Sequence, residues 1–414
     1  MVFTERAATR ILPAKEEIQM TPLIVAWISD FPVEWIDGVP ELVSSLPKQH
    51  PATWQMVLLD EFQKNPGLKL HVIALRKEIP RAMSWERNGV TFHLLKYSAG
   101  IRTPTFYWAD TFLISRALRL IKPDLVHAWG NERGAGLVAS RLGWPYLITI
   151  QGLFEWYQSQ MALRMIDKVS VWAERISLAR ARHATTESKF SVGFLRNRYP
   201  QMAVHQAEHA PNPIFSAVKR RPALKPIRLL TNGTVGFRKG TDLFLRALAA
   251  LEAEIEFEAT VIGAPNPAFI EPLRAALPSS LWRRITFKHD LSPEQVAEEL
   301  AQATILVLPT RADTSPNAVK EAVVSGTPVV ASAVGGTPDY VVPGQNGILF
   351  NAGDLVGCIA ALREACGHPL FSVGQVTPES LRTNREYLSP QRMGELFWQA
   401  YLAAIGRRPE SQSE

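Results

Sequence analysis

The sequence predicts an α/β protein with two doubly wound, mostly parallel sheets, and three observations lead to this. Short apolar runs alternate with amphipathic stretches along most of the chain, the pattern of strands joined by crossover helices. The length of 414 residues exceeds what one ordinary hydrophobic core accommodates, so two domains are expected. A stretch rich in Pro, Lys and Arg begins at residues 210–215 and interrupts the alternation, so we expect the linker there.

The first half contains six apolar runs that we interpret as strands. They occupy residues 23–28, 70–75, 90–95, 123–130, 146–150 and 183–186. Helices are predicted over residues 106–121, 134–142 and 160–182, and after Ser188. The loop after the first strand ends in Gly38, a glycine that would let backbone N–H groups approach a phosphate, although many such glycines only form a turn.

The second half resumes the alternation after the linker. We expect strands at residues 227–232, 258–262, 305–308 and 327–332, a helix over 241–251, and a single amphipathic helix over 385–405. Ser315 is the predicted N-cap of another helix, with Pro316 at its first position and Gly326 as its C-terminal stop. The Gly335-Gly336 turn and a short helix from Pro338 follow.

Composition favours a globular protein, with 46% apolar and 20% charged residues. The two cysteines, Cys358 and Cys366, fall on one predicted helix, which excludes a disulfide framework and a cysteine metal cluster and favours a reducing compartment. No apolar run is long enough to span a membrane, and the first residues lack the apolar core of a signal peptide. A cytoplasmic location is therefore expected.

The positive charge is concentrated in the first half. Residues 1–210 contain 25 Lys and Arg against 19 Asp and Glu, whereas the remainder contains 20 of each. The excess is densest over residues 164–198, where Trp156, Trp172 and Phe194 are interleaved or adjacent. One interpretation is a basic surface for anionic lipid headgroups or an acidic acceptor, and the other is a set of solvated helix faces. No nucleic-acid motif accompanies the charge, which disfavours a nucleic-acid partner.

A candidate anion site follows the first strand of the second half. Gly233 and Gly236 precede Arg238-Lys239-Gly240 at the start of a helix. Exposed N–H groups, a helix dipole and two cations suit a diphosphate. The stretch lacks the P-loop pattern, which disfavours ordinary ATPase chemistry. A glycine-rich turn beside a solvated lysine is the alternative.

Two acids lie in the stretch after the predicted strand 305–308. Asp313 is in a loop and Glu321, eight residues later, is on a helix. A carboxylate on a helix beside the carboxyl end of a parallel sheet can accept hydrogen bonds from two ribose hydroxyls, and we assign this to Glu321. Asp313 would lie nearer the reacting sugar. A paired general acid and base, or two surface charges, are the alternatives.

These residues carry a resemblance to a known family. The stretches 313–321, 326–331, 335–339 and 343–347, together with Lys239-Gly240, Asn212-Pro213 and 123–127, resemble the signature of retaining GT-B glycosyltransferases of the GT4 (group 1) family. The resemblance implies two Rossmann-like domains that face each other across a central cleft. Residues 1–20, which mix charged and small residues, are interpreted as a flexible extension. The resemblance implies an acceptor-binding domain at 21–211, a nucleotide-sugar-binding domain at 212–380, and at 381–414 a helix that crosses back to the first domain, then a tail.

The resemblance also implies roles for individual residues. Glu321 would bind the ribose and Lys239 would neutralise the diphosphate. The nucleotide base would lie near His289. Further donor-site residues would be Gly38, Gly233, Arg238, Asp313, Ser315, Pro316, Asn317 and Ala318.

The chain departs from the family pattern at four positions. Asp313 and Asp339 replace the usual Glu, Thr234 stands where an Arg is common, and Gln151 replaces a His. Gln151 cannot titrate, so His127 is the remaining candidate for a proton relay, and a structural histidine at the end of a strand is the alternative.

The expected activity is transfer of a sugar from a nucleotide-diphospho-sugar to a hydroxyl of a glycan, lipid-linked or small-molecule acceptor, with retention. No Asp-x-Asp pair occurs in the chain, and neither a metal nor a cofactor is expected. The alternatives are a non-catalytic nucleotide-sugar or glycan binder, and an epimerase or phosphorylase of the same fold.

Overall fold

The computed structural model describes residues 21–48, 52–131, 133–162 and 165–407. The predicted extension at 1–20 and the last seven residues of the predicted tail lie outside these ranges. Within them the chain forms two sheets with helices packed against them, the α/β arrangement that was predicted.

The first sheet has eight strands in the described residues, in the order β3-β4-β2-β1-β5-β6-β7-β8. Neighbouring strands are parallel except for β3, which runs antiparallel to β4. The strands are β1 Leu23–Ile28, β2 Leu68–Arg76, β3 Met83–Arg87, β4 Val90–Lys96, β5 Leu125–Trp129, β6 Tyr146–Ile150, β7 His183–Thr186 and β8 Ala203–Gln206.

The second sheet has six strands in the described residues, all parallel, in the order β11-β10-β9-β12-β13-β14. The strands are β9 Ile227–Asn232, β10 Phe257–Ile262, β11 Ile285–Lys288, β12 Ile305–Leu308, β13 Val329–Ser332 and β14 Gly347–Phe350. Chain order reverses direction across the sheet between β9 and β12, and such a switch point leaves a crevice at the carboxyl ends of the strands.

Helices cover both sheets and supply the other half of each core. In the first half they are α1 Glu41–Ser44, α2 Thr53–Phe62, α3 Trp108–Ile121, α4 Ala135–Ala139, α5 Phe154–Gln160, α6 Met165–Arg180 and α7 Lys189–Arg198. In the second half they are α8 Thr241–Leu251, α9 Pro267–Ala276, α10 Ser279–Trp282, α11 Pro293–Gln302, α12 Asn317–Ser325, α13 Thr337–Tyr340, α14 Leu355–Gly367, α15 Pro378–Tyr387 and α16 Pro390–Ala404. No described helix is both long and apolar enough to cross a bilayer.

The final helix, α16, packs against the first sheet although it follows the second sheet in the chain. Met393, Phe397 and Tyr401 are buried in the same apolar cluster as strands β1 and β2. The Tyr401 hydroxyl accepts a hydrogen bond from Trp27 Nε1 at 2.8 Å. The predicted single helix over 385–405 is wrong, because Pro390 starts a new helix whose N-cap is Ser389.

Other elements also differ from the predictions. Strands β3, β8, β11 and β14 were not predicted; all four are short and lie at the edges of the two sheets. The helix predicted over 160–182 corresponds to α6 Met165–Arg180, whereas the preceding α5, which ends at Gln160, was not predicted.

Candidate functional site

The site lies at the carboxyl ends of β9 and β12, which are neighbours in the second sheet. Ile305 and Leu306 of β12 pair with Leu229 and Leu230 of β9, so the loops that follow the two strands leave the sheet side by side. The first loop contains Lys239 and the second contains Asp313. Arg311 in the second loop donates two hydrogen bonds to Asp242 at the start of α8, which fixes the two loops against each other.

Asp313 is the centre of a charged cluster. Its Oδ2 accepts a hydrogen bond from Lys239 Nζ at 2.5 Å and lies 3.7 Å from Arg238 Nη1, and its Oδ1 accepts from the backbone N–H of Ser315 at 3.2 Å. Burial acts to raise the pKa of Asp313, but Lys239, Arg238 and the Ser315 N–H outweigh it and hold the pKa below its ordinary value. The carboxylate therefore stays ionised and fixes the ammonium in place.

Two glycines permit this loop geometry. A Cβ on Gly335, where φ is +56°, would lie 1.7 Å from the carbonyl oxygen of Asp313. A Cβ on Gly240, where φ is +72°, would lie 1.8 Å from the carbonyl oxygen of Pro309. Both positions combine left-handed backbone with a close backbone approach, and only glycine satisfies both conditions.

Glu321 lies on the face of α12 that borders the crevice. Asn317, Ala318 and Glu321 are partly buried, whereas Val319 and Lys320 are fully buried. Glu321 Oε2 accepts a hydrogen bond from Asn232 Nδ2 at 3.3 Å, at the end of β9. Burial raises the pKa of Glu321 to about 7, although Lys320 and Lys239 oppose the shift. Because this pKa is near 7, a ligand that donates hydrogen bonds to the carboxylate can shift Glu321 to its ionised form.

The N-terminus of α12 opens toward the same crevice. The predicted N-cap at Ser315 is wrong: Pro316 occupies that position and makes no side-chain cap hydrogen bond. The Ser315 hydroxyl is instead 2.9 Å from the hydroxyl of Tyr340. The first N–H groups of α12 consequently lack a side-chain cap, which leaves the positive end of the helix dipole available to an anion. Gly326, with φ +80°, ends the helix as predicted.

The first half covers this crevice from the other side. The hydroxyl of Thr314 donates to the carbonyl oxygen of Gln151 at 2.7 Å. Asp339 on α13 accepts a hydrogen bond at 2.8 Å from the N–H of Lys189, the first residue of α7. The guanidinium of Arg238 lies 5.7 Å from the ring of Tyr157 on α5. The loops after β9 and β12 (the donor loops, since they contain most of the predicted donor-site residues) therefore contact the segment that follows β6, and α13 contacts the start of α7, which follows β7.

A buried ion pair joins the halves beneath the crevice. Lys320 Nζ donates to Glu187 Oε2, and both residues are buried. Glu187 Oε1 also lies 3.2 Å from His209 Nδ1. Burial raises the pKa of Glu187 despite Lys320, so removal of the lysine would favour the protonated acid further. The sequence did not predict this pair, because Lys320 and Glu321 are adjacent charged residues and only the structure shows that Lys320 lies on the buried face of α12.

Two predicted residues, His127 and Gly38, are not brought to this cluster. His127 is fully buried, with one ring nitrogen 2.6 Å from Tyr401 Oη and the other 2.6 Å from Thr149 Oγ1. A fully buried ring cannot relay a proton to a substrate. The contact with Tyr401 shows instead that His127 helps to hold α16 against the first sheet. Gly38 is exposed, and a Cβ there would meet only Arg87 of β3.

The other predicted contacts of the donor are near the crevice or on its border. Gly233 lies against Lys239, whose Cε is 3.5 Å from the position of a Cβ on the glycine. His289 is exposed on the loop after β11, an edge strand, and its Nδ1 is 2.7 Å from Asp290 Oδ2. Asn232, the last residue of β9, had no predicted role, and its hydrogen bond to Glu321 supplies one.

Comparison with known families assigns both halves of the chain. Residues 226–367 match the family model described as "Glycosyl transferases group 1". Residues 57–214 match the model described as "Glycosyltransferase Family 4". Together the two matches include most of both sheets.

Curated relatives are similar over part of their length. The chain is 27% identical over 272 residues to the sulfoquinovosyl transferase SQD2 of Arabidopsis thaliana, an alignment that covers 61% of the chain and 51% of the relative. It is 30% identical over 145 residues to the D-inositol 3-phosphate glycosyltransferase of Streptomyces avermitilis, covering 32% of the chain and 31% of the relative. The chain thus spans about half or less of the length of these two relatives.

Solved structures confirm the fold. The sucrose-phosphate synthase of Thermosynechococcus elongatus superposes with a TM-score of 0.73 at 18% identity, covering 92% of this chain and 100% of that one. HepE of Anabaena in complex with UDP-glucose superposes with a TM-score of 0.66 at 12% identity, with the same coverage. Both likenesses concern the arrangement of two facing α/β halves, as predicted.

Proposed function

The chain belongs to the group 1 (GT4) glycosyltransferases, and from this premise we propose that it moves a sugar from a nucleotide-diphospho-sugar to an acceptor hydroxyl with retention of anomeric configuration. The observation that carries the proposal is the placement of Lys239, Asp313 and Glu321 around one crevice at the carboxyl ends of β9 and β12. The first half closes that crevice, so a donor and an acceptor can meet there.

The diphosphate would bind between Lys239, Arg238 and the N-terminus of α12. The ammonium of Lys239 has three protons, so it can keep its bond to Asp313 and still donate to a phosphate oxygen. Arg238 and the uncapped N–H groups of α12 add positive potential where the leaving group gains charge. This arrangement supports transfer without a divalent metal.

The ribose would bind to Glu321. The carboxylate can accept hydrogen bonds from two vicinal hydroxyls while Asn232 holds its Oε2. The nucleotide base would then extend toward the loop of His289 after β11. HepE of Anabaena, a structural neighbour, is solved with UDP-glucose, which supports a nucleotide-diphospho-sugar as the class of donor.

The acceptor would enter from the first half. Its hydroxyl oxygen forms a bond to the anomeric carbon, the bond from that carbon to the diphosphate oxygen breaks, and the hydroxyl proton passes to the departing oxygen. Attack on the face that the leaving group vacates retains the configuration. Asp313 would position the donor sugar and Lys239, and no protein nucleophile takes part.

The test is release of nucleoside diphosphate from UDP-, GDP- and ADP-sugars with simple glycosides and lipid-linked alcohols as acceptors. We expect turnover with one donor, unchanged by EDTA, and an NMR spectrum of the product that shows the anomeric configuration of the donor. An inverted product would overturn the retaining mechanism. Donor binding without nucleotide release would identify a non-catalytic binder, and a rearranged free sugar would identify an epimerase.

A further inference from the structure

The loop before α3 and the N-terminal part of α3 expose large aromatic side chains to solvent. The exposed fractions are 48% for Phe106, 60% for Trp108, 63% for Phe112 and, on the neighbouring α6, 45% for Trp172. Single exposed apolar residues are common on protein surfaces, but a group of large aromatic ones is characteristic of an interaction site.

These aromatic residues form one continuous surface. The rings of Phe106 and Trp172 lie 5.2 Å apart. Arg141 connects the next pair, since its Nη1 donates to the carbonyl oxygen of Phe106 at 2.6 Å and its guanidinium lies 4.4 Å from the ring of Trp108. Trp108 and Phe112 are four residues apart and so occupy the same face of α3.

Arginines continue the same face of the helix. Arg116 is four residues after Phe112, and its guanidinium lies 5.8 Å from that ring. Arg119 is exposed and projects from the same face, between the directions of Trp108 and Phe112. Neither arginine forms an ion pair with a carboxylate in the described part of the chain. The acid of α3, Asp110, is buried and paired with Arg102 at 2.7 Å.

The backbone holds Phe106 in this position at an energetic cost. Phe106 and Tyr107 both have positive φ, +46° and +62°, which bulky L-residues rarely adopt. Tyr107 directs its ring into the core, against Gly134, whereas Phe106 directs its ring outward. Phe106 is thus held in a strained backbone conformation without the gain of burying its own ring. Such strain is expected where a ligand or a surface contacts the exposed ring.

This surface borders the predicted acceptor side of the crevice. Arg102, on the loop that leads into α3, donates to the carbonyl oxygen of Arg133 at 3.2 Å. Arg133 in turn lies 3.3 Å from the carboxylate of Asp30. Asp30 and Arg133 follow β1 and β5, so the aromatic residues adjoin the carboxyl edge of the first sheet, the edge that faces the donor loops.

We propose that this face docks on an anionic lipid bilayer. We call it the aromatic–arginine surface, and it consists of Phe106, Trp108, Phe112, Arg116, Arg119 and Trp172. Aromatic rings at the level of the headgroups, flanked by unpaired guanidinium groups, match a surface with an apolar boundary and negative charge. The proposal does not rest on the proposed function. It differs from the predicted lipid surface, since Trp156 is buried and Trp172 alone of those aromatic residues belongs to it.

The experiment is co-sedimentation of the full chain with phosphatidylcholine vesicles that contain or lack phosphatidylglycerol. We expect wild type to sediment with the anionic vesicles only, less at high salt. Trp108→Ala with Phe112→Ala should weaken binding by at least about tenfold, because two partly exposed aromatic side chains no longer insert. Arg116→Gln and Arg119→Gln should each weaken it roughly fivefold. Val356→Ala, at a residue 77% exposed on α14, is the control and should bind as wild type.

Three results would overturn the proposal. The first is that wild type stays in solution with anionic vesicles, and the second is that the aromatic double variant binds them as well as wild type. The third is a concentration-dependent dimer of wild type, seen by sedimentation velocity without lipid and abolished in the double variant, which would make a second copy of the chain the occupant. Because the substituted side chains are exposed, all variants should have the melting temperature of wild type. Equal melting temperatures would exclude misfolding as the cause of a loss of vesicle binding.

Discussion

At the scale of the residue, the site depends on how Lys239 and Asp313 hold each other. Each is fixed by a loop that follows a parallel strand, and their 2.5 Å contact keeps the ammonium at the mouth of the crevice. Lys239 and Arg238 lower the pKa of Asp313 against the effect of burial, so its carboxylate stays ionised. The site is thus prepared for an anion before one binds.

Lys239→Ala should reduce kcat/KM roughly tenfold to a hundredfold, since a charge-assisted hydrogen bond to the leaving group contributes about 1.5–3 kcal/mol. Lys219→Ala, at an exposed lysine of the linker, serves as the control and should keep wild-type kinetics. Steady-state nucleotide release measures both. Equal kinetics of the two variants would refute the assignment of Lys239.

Donor affinity should depend on pH through Glu321. Burial raises the pKa of Glu321 to about 7 in the free protein, and ribose hydroxyls donate to the ionised form. Donor should therefore bind more tightly as pH rises through 7, by up to roughly tenfold per pH unit below the pKa. Calorimetric titration of wild type and Glu321→Gln measures this. A pH-independent affinity in wild type, or the same pH dependence in Glu321→Gln, would contradict the ribose role.

The contribution of Glu321 to the stability of the free protein should decrease as pH rises, whereas its contribution to donor affinity increases. The folded carboxyl holds its proton up to a pH of about 7, whereas the unfolded one releases it near its ordinary value of 4.5. Between these values the contribution of Glu321 to stability is lost as pH rises. Glu321→Gln should then melt higher than wild type above pH 7 and lose this advantage near pH 5. Thermal melting of the free protein at both pH values measures it, and an advantage that grows on acidification would contradict the shift.

At the scale of the element, the Gly335-Gly336 turn between β13 and α13 supports the loop of Asp313. The turn passes so close to that loop that a single added carbon on Gly335 would overlap the Asp313 carbonyl oxygen. The turn therefore determines where the carboxylate lies, although it contributes no side chain to the site.

Gly335→Ala should lower both stability and turnover. The new Cβ must displace the backbone of Asp313, and the alanine must also adopt a positive φ. Gly344→Ala is the matched control: its φ of +75° imposes similar backbone strain, but nothing lies within 4 Å of the added carbon. Left-handed backbone alone costs about 1–2 kcal/mol. We expect the control to lose about that stability and keep its turnover. Similar turnover in the two variants would show that the turn does not position Asp313.

Sequence patterns predicted the elements with a long or strongly apolar run. Strands β1, β6, β7, β9 and β12 lie at the predicted residues, because parallel strands are buried on both faces and read as continuous apolar segments. The edge strands β3, β8 and β11 were missed because polar or charged residues interrupt their apolar positions, and β14 was missed because its apolar run after Gly347 is only three residues long. The break before α16 escaped because apolar periodicity continues across it, and only the Ser389-Pro390 signal marks it.

The site could be predicted where one local motif carried it. Lys239, Asp313 and Glu321 lie around one crevice because their motifs follow adjacent strands. His127 was mistaken for a cleft residue, since its position depends on α16, which returns from the far end of the chain. Lys320 was missed for the same reason: its partner Glu187 is in the other half.

At the scale of the whole molecule, two of the contacts that join the halves are fully buried. One is made by α16, which follows the second sheet but packs on the first. The other is the Lys320–Glu187 pair, which is buried where the halves meet under the donor loops. A buried ion pair gives little net stability by itself, but loss of one partner leaves an uncompensated charge.

Lys320→Met should destabilise the protein by about 3–5 kcal/mol, because Glu187 loses its partner inside the interface. Adding Glu187→Gln should recover a large part of that loss, since the uncompensated acid is then gone. Chemical denaturation of the single and double variants measures the coupling. If the double variant is no more stable than Lys320→Met alone, the two residues do not act as a pair.

The central claim is that the crevice at the carboxyl ends of β9 and β12 binds a nucleotide-sugar. The direct measurement is the melting temperature with UDP-, GDP- and ADP-sugars, because a ligand that binds the folded state raises it. We predict that one of these donors raises the melting temperature of wild type and that Lys239→Ala and Glu321→Ala abolish the increase. No increase with any donor, or an undiminished increase in both variants, would contradict the claim.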